Sequence, residues 1–358
     1  MFHLPISSRT EPSRSSRSLH MSPRISTSFL TLCAIHKMKE VKRTNTFFLI
    51  LVILHITASL VVSMLDKQAV KLGTFSSLML TQLLILVPSF LFFLISGYDI
   101  AEWIPFKKLK AGTVALVIVF TFLIMPLISF VNVFSQLFTD NTAVDLIGEV
   151  ADMSPFITVL IVGFIGPFCE EFTFRGVIYG GLRKSGSLCA AAAVTGAFFG
   201  LMHLNLNQLS YALILGFVIA LLVEATGSIW ASVTAHVTVN AWNVIMMLAM
   251  DKLYSSMGID IFKEAQEAAT TDLKLNMMGM LIIVSVFTTL LAAGAFIGLS
   301  SHEGRIDHVK TIFKSGSCDT DSREEEKKHV ITVSGYLAAG LCVFVIFFLD
   351  KVLGNIVK

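Results

Sequence analysis

Apolar runs of about twenty residues, enough to cross roughly 30 Å of hydrocarbon, recur along this chain and leave it one class of fold. Marked by their charged borders, the runs fall at 46–65, 75–97, 111–137, 155–182, 187–204, 208–226, 228–250, 276–299 and 331–352. A backbone in lipid must satisfy its own hydrogen bonds, so runs of this length are expected as helices. The expected fold is therefore all-α, a polytopic transmembrane helix bundle of about eight to nine spans with no separate soluble domain. Composition agrees: 54% of residues are apolar and 15% charged, so the 358 residues set the number of spans and not the size of a soluble core. A formal charge of +2 gives no basis for a nucleic-acid partner. Cys33, Cys169, Cys189, Cys318 and Cys342 contain no CxxC pair, which indicates neither a disulfide framework nor a thiolate metal site.

Residues 1–45 form a basic tail rich in Ser, Arg and Thr and are expected to be disordered. Met38-Lys39-Glu40-Val41-Lys42-Arg43, directly before the first span, reads as a bacterial start, so residues 1–37 are expected to come from an upstream start codon. Residues 46–299 then form the bundle, with its core at 155–250, followed by a loop at 300–330 and a C-terminal span within 331–358. Cytoplasmic loops carry an excess of Lys and Arg. Lys37, Lys39, Lys42, Arg43, Lys107, Lys108, Lys110, Arg183, Lys184 and the loop from Arg305 to Lys328 fall on one side, whereas the loop with Asp140, Asp145, Glu149 and Asp152 has no basic residue. This reading puts the N-terminus and the 300–330 loop in the cytoplasm of a bacterial cell. The chain is then an integral protein of the cytoplasmic membrane, with 251–275 as a surface helix outside and an exterior C-terminus.

Within the fourth run, Glu170-Glu171-Phe172-Thr173-Phe174-Arg175 places three charges in two helical turns. Each costs about 2.5 to 3.5 kcal/mol at the centre of a membrane helix, which marks a site. Residues four apart share a helix face, so Glu171 and Arg175 are expected to pair as support while Glu170 faces a cavity as the acid/base group. A structural ion-pair cluster is the plainer alternative. The next run carries His203 at the end of Phe199-Gly200-Leu201-Met202-His203, preceded by Gly196, a spacing that admits a close helix neighbour. The seventh carries Ser228, Ser232, His236, Asn240 and Asn243 on one polar face. At about 1.5 Å per residue from the basic ends, Glu170 lies roughly 18 Å deep, His203 roughly 24 Å, His236 roughly 12 Å and Asn240 roughly 18 Å. His55 has no ionisable neighbour in sequence and reads as a packed histidine.

Amide hydrolysis needs an activated water, oxyanion stabilisation and a proton for the leaving amine. Glu170 and His203 can hold and deprotonate the water; His236 and Asn240 can donate to the oxyanion. The competing assignment is a divalent metal such as Zn²⁺ on Glu170, His203, His236 and Asn240, although Asn is a poor zinc ligand and no HExxH motif is present. A rhomboid-like serine site, a presenilin-like aspartate pair and a Cys169 nucleophile have weaker support in the sequence. A transporter commonly shows paired repeats or broken helices, and none is evident.

Three motifs, EExxxR at Glu170–Arg175, FxxxH at Phe199–His203 and HxxxN at His236–Asn240, stand on separate runs in one order. Over about 155–250 this resembles the CPBP family of intramembrane proteases, which includes type II CAAX prenyl endopeptidases and bacterial relatives linked to bacteriocin self-immunity. The resemblance implies peptide-bond cleavage in a multi-helix membrane core, with membrane-associated or lipidated peptides as substrates and the bilayer as surroundings. It implies Glu170 and His203 as the water-activating pair, His236 and Asn240 at the oxyanion, and Glu171 and Arg175 as support. The family has been described both as metalloproteases and as glutamate-dependent enzymes without metal. A scaffold, an immunity factor without turnover and a transporter are the non-enzymatic alternatives.

Overall fold

The computed structural model describes residues 23–67, 72–139, 150, 153–260, 264, 270–314 and 329–356. In chain order the helices are α1 (Pro23–Lys67), α2 (Thr74–Ser96), α3 (Ile100–Trp103), α4 (Ala111–Ser135), α5 (Pro155–Ser185), α6 (Leu188–Leu201), α7 (Leu206–Thr226), α8 (Ile229–Ser256), α9 (Thr271–His302), α10 (Ile306–Lys314) and α11 (Val333–Ile356). Among the described residues the structure is an all-helical bundle, its only extended pairing an isolated bridge between Phe106 and Ser228. It is an integral membrane protein. Among the described residues, seven stretches are long and apolar enough to cross a bilayer: Lys37–Leu65 within α1, and α2, α4, α5, α7, α8 and α9.

Two of the nine expected spans are shorter. The apolar part of α11 is Val333–Phe348, and α6 has 14 residues, a rise of about 21 Å. The chain turns after α6 through Leu204, whose φ is 53°, and the Asn205 side chain accepts from the Gln208 backbone N–H at 2.8 Å to start α7. His203 therefore sits in a turn and not within a span. Residues 23–45, expected as disordered tail, belong to α1, with Pro23 suited to a first helical position. Residues 1–22 and the acidic positions Asp140, Asp145, Glu149 and Asp152 lie outside the described residues. Of the expected surface helix at 251–275, residues 251–256 complete α8 and 271–275 begin α9.

Helix α5 is central: every residue from Glu171 to Leu182 is buried. It packs against α1, α2, α6, α7 and α8. Its regular turns are interrupted by π-helical segments at Val159–Ile165 and Phe172–Tyr179, on either side of Gly166–Glu171. Pro167 explains the first, because in a regular helix its ring would press on the carbonyl four residues back. The widened turn relieves this, and the Gly166 N–H bonds to the Ile161 carbonyl, five residues back. On the α2 side, Ser89 and Thr173 hydroxyls meet at 2.8 Å, and Thr173 Oγ1 also donates to the Ile85 carbonyl at 3.2 Å.

The expected close approach at Gly196 is present. A Cβ there would lie 2.6 Å from the Leu213 carbonyl oxygen, and one at Gly216 would lie 2.8 Å from the Gly196 Cα, so α6 and α7 touch backbone to backbone. This places Phe199 and His203 against α7 and the α5 core.

Lys107, Arg183, Lys184 and Arg305 gather at one end of the bundle, whereas Lys274 donates to the Gln136 carbonyl at the other. Lys184 meets Glu40 of α1 at 3.3 Å, and Lys107 meets Glu303 at 2.7 Å. Fully buried Glu224 of α7 receives Tyr179 Oη at 3.0 Å, Arg183 Nη2 at 2.8 Å and His308 Nε2 at 2.6 Å, and its backbone carbonyl receives Arg305 Nε at 2.7 Å. This carboxylate ties α10 to α5 and α7. The 300–330 segment, expected as a loop, thus contains a helix whose signal was the three-residue spacing of Ile306, Val309 and Ile312.

The glycine contact predicts that Gly196→Ala lowers the melting temperature of the detergent-solubilised protein, at a cost of about 1–3 kcal/mol. Gly294→Ala, where an added Cβ would meet nothing within 4 Å, is expected to leave it unchanged or raise it.

Candidate active site

Arg175 carries a guanidinium into the middle of the bundle with its side chain fully buried, so the neighbouring groups have to replace its hydration. Glu171, one helical turn earlier and equally buried, accepts from Arg175 Nη1 at 2.7 Å. Arg175 Nη2 donates to the Gly216 carbonyl of α7 at 3.0 Å, and the guanidinium carbon lies 4.8 Å from the centre of the Phe199 ring of α6. The expected Glu171–Arg175 pair is therefore present, embedded between three helices.

The structure adds a second partner. His236 Nδ1 of α8 lies 2.7 Å from the same Glu171 Oε1. An ionised carboxylate only accepts, so Nδ1 carries the proton, and in the neutral ring Nε2 is left as an acceptor. That Nε2 lies 3.7 Å from Glu170 Oε2. Of the two adjacent carboxylates, Glu171 is fully buried and gives its Oε1 to both the ion pair and the His236 bond, whereas the Glu170 side chain is 24% exposed.

His203 is fixed the same way. Its Nδ1 lies 2.9 Å from the Phe199 carbonyl, which can only accept, so Nε2 is again the free position of a neutral ring. Phe199 connects the two imidazoles: both rings stand edge-on to it, with centroid separations of 5.1 Å for His203 and 5.6 Å for His236, at interplanar angles of 87° and 89°. Phe174 of α5 holds Phe199 from another side at 5.0 Å.

Asn240 lies one turn beyond His236, and its Nδ2 donates to the Val162 carbonyl in the first π-helical segment at 3.3 Å. It uses one amide hydrogen there and keeps a second hydrogen and its carbonyl oxygen for another partner. The structure thus joins Glu170, Glu171, Arg175 and His236 directly, joins His203 to them through Phe199, and anchors Asn240 to the same helix, α5. Among the described residues no three His, Cys, Asp or Glu side chains converge on a point that could hold a metal ion. The alternative metal set, Glu170, His203, His236 and Asn240, keeps both histidine Nε2 atoms as donors, because Glu171 and the Phe199 carbonyl hold only the Nδ1 atoms.

Two contributors were not foreseen. Phe199 appeared only as the first letter of FxxxH, although an aromatic four residues before a histidine on one face was a usable sign. Gly216 as the acceptor for Arg175 had no sequence signal. His55, read as an isolated packed histidine, lies within electrostatic reach of His203.

Residues 152–242, which enclose all three motifs, match the family described as type II CAAX prenyl endopeptidase Rce1-like. A protein of Bacillus subtilis (strain 168) named "Putative membrane peptidase YdiL" is 32% identical over 92 residues, 26% of this chain and 38% of that protein. The similarity thus spans well under half the length of that relative. No solved structure matches the chain. The match covers about a quarter of the chain and encloses all three motifs, so residues 152–242 are similar to the Rce1-like family.

Proposed function

We propose that the protein is an intramembrane endopeptidase of the CAAX type, hydrolysing peptide bonds of membrane-associated or lipidated peptides with a water activated by Glu170 and His203. The observation that carries this reading is the division between the two glutamates: Glu171 is committed to Arg175 and His236, and Glu170 is the accessible one, beside a histidine nitrogen. The family match supports the same class of reaction.

In this reading Glu170 takes a proton from water as the water oxygen attacks the peptide carbonyl, with His203 Nε2 accepting a hydrogen bond that orients it. The carbonyl oxygen becomes an oxyanion, held by the free amide hydrogen of Asn240 and by His236 Nε2–H when that ring is protonated. Glu171 balances the imidazolium charge. The carbon–nitrogen bond then breaks as Glu170 returns the proton to the leaving amine. Arg175, Gly216 and Phe199 act by holding Glu171, His236 and His203 in place. The basic end of the bundle faces the cytoplasm of a bacterial cell, with the N-terminal end of α1 on that side.

Three outcomes follow. Glu170→Gln lowers kcat on a lipidated or membrane-anchored peptide by about 10²–10⁴-fold and leaves the melting temperature unchanged; full turnover in the purified variant would refute the assignment and favour a scaffold, immunity or transport role. Arg175→Met leaves Glu171 buried beside an incomplete set of partners and destabilises the protein by about 3–5 kcal/mol, read by thermal melting in detergent. Incubation with a chelator leaves turnover intact, whereas strong inhibition reversed by added Zn²⁺ would contradict the metal-free reaction.

A further inference from the structure

Hydrolysis consumes one water for each bond cleaved, and a centre enclosed by apolar helices needs a route for it. Helices α1 and α2 leave a cavity of about 480 Å³ between the last turns of α1 and the first turns of α2. Its lining is unlike the rest of these two helices. Six of its eleven lining residues are polar: His55, Ser59 and Ser63, four residues apart on α1, and Thr74, Ser77 and Thr81 on α2, with Ala58, Val62, Leu72, Leu80 and Leu84 completing the wall. The other faces present Leu60, Val61 and Met64 of α1 and Leu83 and Val87 of α2, all exposed large apolar side chains suited to lipid.

One buried polar atom of a lining residue, His55 Nδ1, has no hydrogen-bond partner, and neither has Oε1 of Gln82, which follows Thr81 in α2 but does not itself line the groove. A buried unpaired atom of this kind costs about 1–3 kcal/mol, which water in a polar cavity removes. Both atoms lead towards the catalytic cluster: His55 is within electrostatic reach of His203, and the Gln82 amide packs against Gly166 of α5, one turn before Glu170. Twelve residues beyond Arg43, His55 lies about 18 Å into α1, the depth reckoned for Glu170. The Ser59 and Thr81 hydroxyls donate to the His55 and Ser77 carbonyls at 2.9 and 3.1 Å, leaving their oxygens as acceptors toward the groove.

We propose that the α1–α2 groove is a hydrated vestibule that carries water to the catalytic centre, and that His55 is the positioning residue at its inner end, hydrogen-bonded to the water that passes to His203. The groove's volume corresponds to roughly fifteen waters at about 30 Å³ each.

The delivery role rests on the proposed peptidase reaction; the hydration does not, and the test separates them. The full chain, with its native cysteines replaced, is reconstituted in liposomes carrying single substitutions Ser59→Cys or Ser77→Cys in the groove, or Leu60→Cys or Leu83→Cys on the lipid side. A charged, membrane-impermeant methanethiosulfonate is expected to modify the groove cysteines at least about tenfold faster, since only thiols in water ionise and react readily. Groove cysteines as inert as the lipid-side pair overturn the proposal, whether or not the protein cleaves peptides. For delivery, His55→Phe is expected to lower kcat about tenfold or more with KM unchanged, and His55→Gln, which keeps a hydrogen-bonding group, to restore most of it. Unchanged kcat in His55→Phe overturns the positioning role. A raised KM at constant kcat overturns water delivery and assigns the groove to the peptide. If His55→Phe fails to fold, Ser63→Leu at the outer end closes the groove and is expected to give the same loss of kcat; normal turnover there overturns the route.

Discussion

A guanidinium buried among apolar helices is the constraint around which this protein is arranged. Arg175 cannot be deprotonated under ordinary conditions, so its charge has to be met within the bundle. Glu171, the Gly216 carbonyl and the face of Phe199 supply that environment from α5, α7 and α6. His236 then joins Glu171 from α8. One buried charge thereby fixes the relative placement of four helices. The result is not stabilising by virtue of the ion pair alone, since desolvation offsets much of the attraction; its contribution is orientation. With its Nδ1 held by the same Glu171 oxygen that meets Arg175, His236 presents its other nitrogen to Glu170.

Backbone irregularity makes this arrangement possible. Helix α5 accommodates Pro167 through a widened turn, and its two π-helical segments bracket the carboxylates. The Gly196–Gly216 contact brings α6 and α7 together, so that Phe199 can lie under Arg175 while its carbonyl holds His203. The short α6 ends where this geometry requires a turn, which leaves His203 on a capped connection to α7. At the other end of α5, Glu224 gathers Tyr179, Arg183 and His308, anchoring the C-terminal turns of the same helix.

Much of this was legible in the sequence because membrane insertion penalises polar groups individually. The apolar runs marked the helices, the four-residue step from Glu171 to Arg175 marked their pair, and the glycines before His203 marked a close contact. Other features depend on tertiary packing and left weaker traces. The Glu171–His236 bond joins residues 65 apart in sequence, and Gly216 acts through a carbonyl that every residue has. The shortness of α6 follows from a turn at Leu204, a residue type that seldom adopts positive φ. His55 looked isolated because the groove it lines is built with residues of α2. Helix α10 was missed because nine residues are too few for a strong periodic signal, and its docking depends on Glu224.

The central claim, that Glu171 orients His236 towards Glu170, is tested most directly by ¹⁵N NMR of the imidazoles in histidine-labelled protein. The account predicts that neutral His236 is the Nδ1–H tautomer in the native chain and in Glu170→Gln, and a mixture of tautomers in Glu171→Gln. A His236 signal that is unchanged by Glu171→Gln, or that already reports Nε2–H in the native neutral ring, would contradict it.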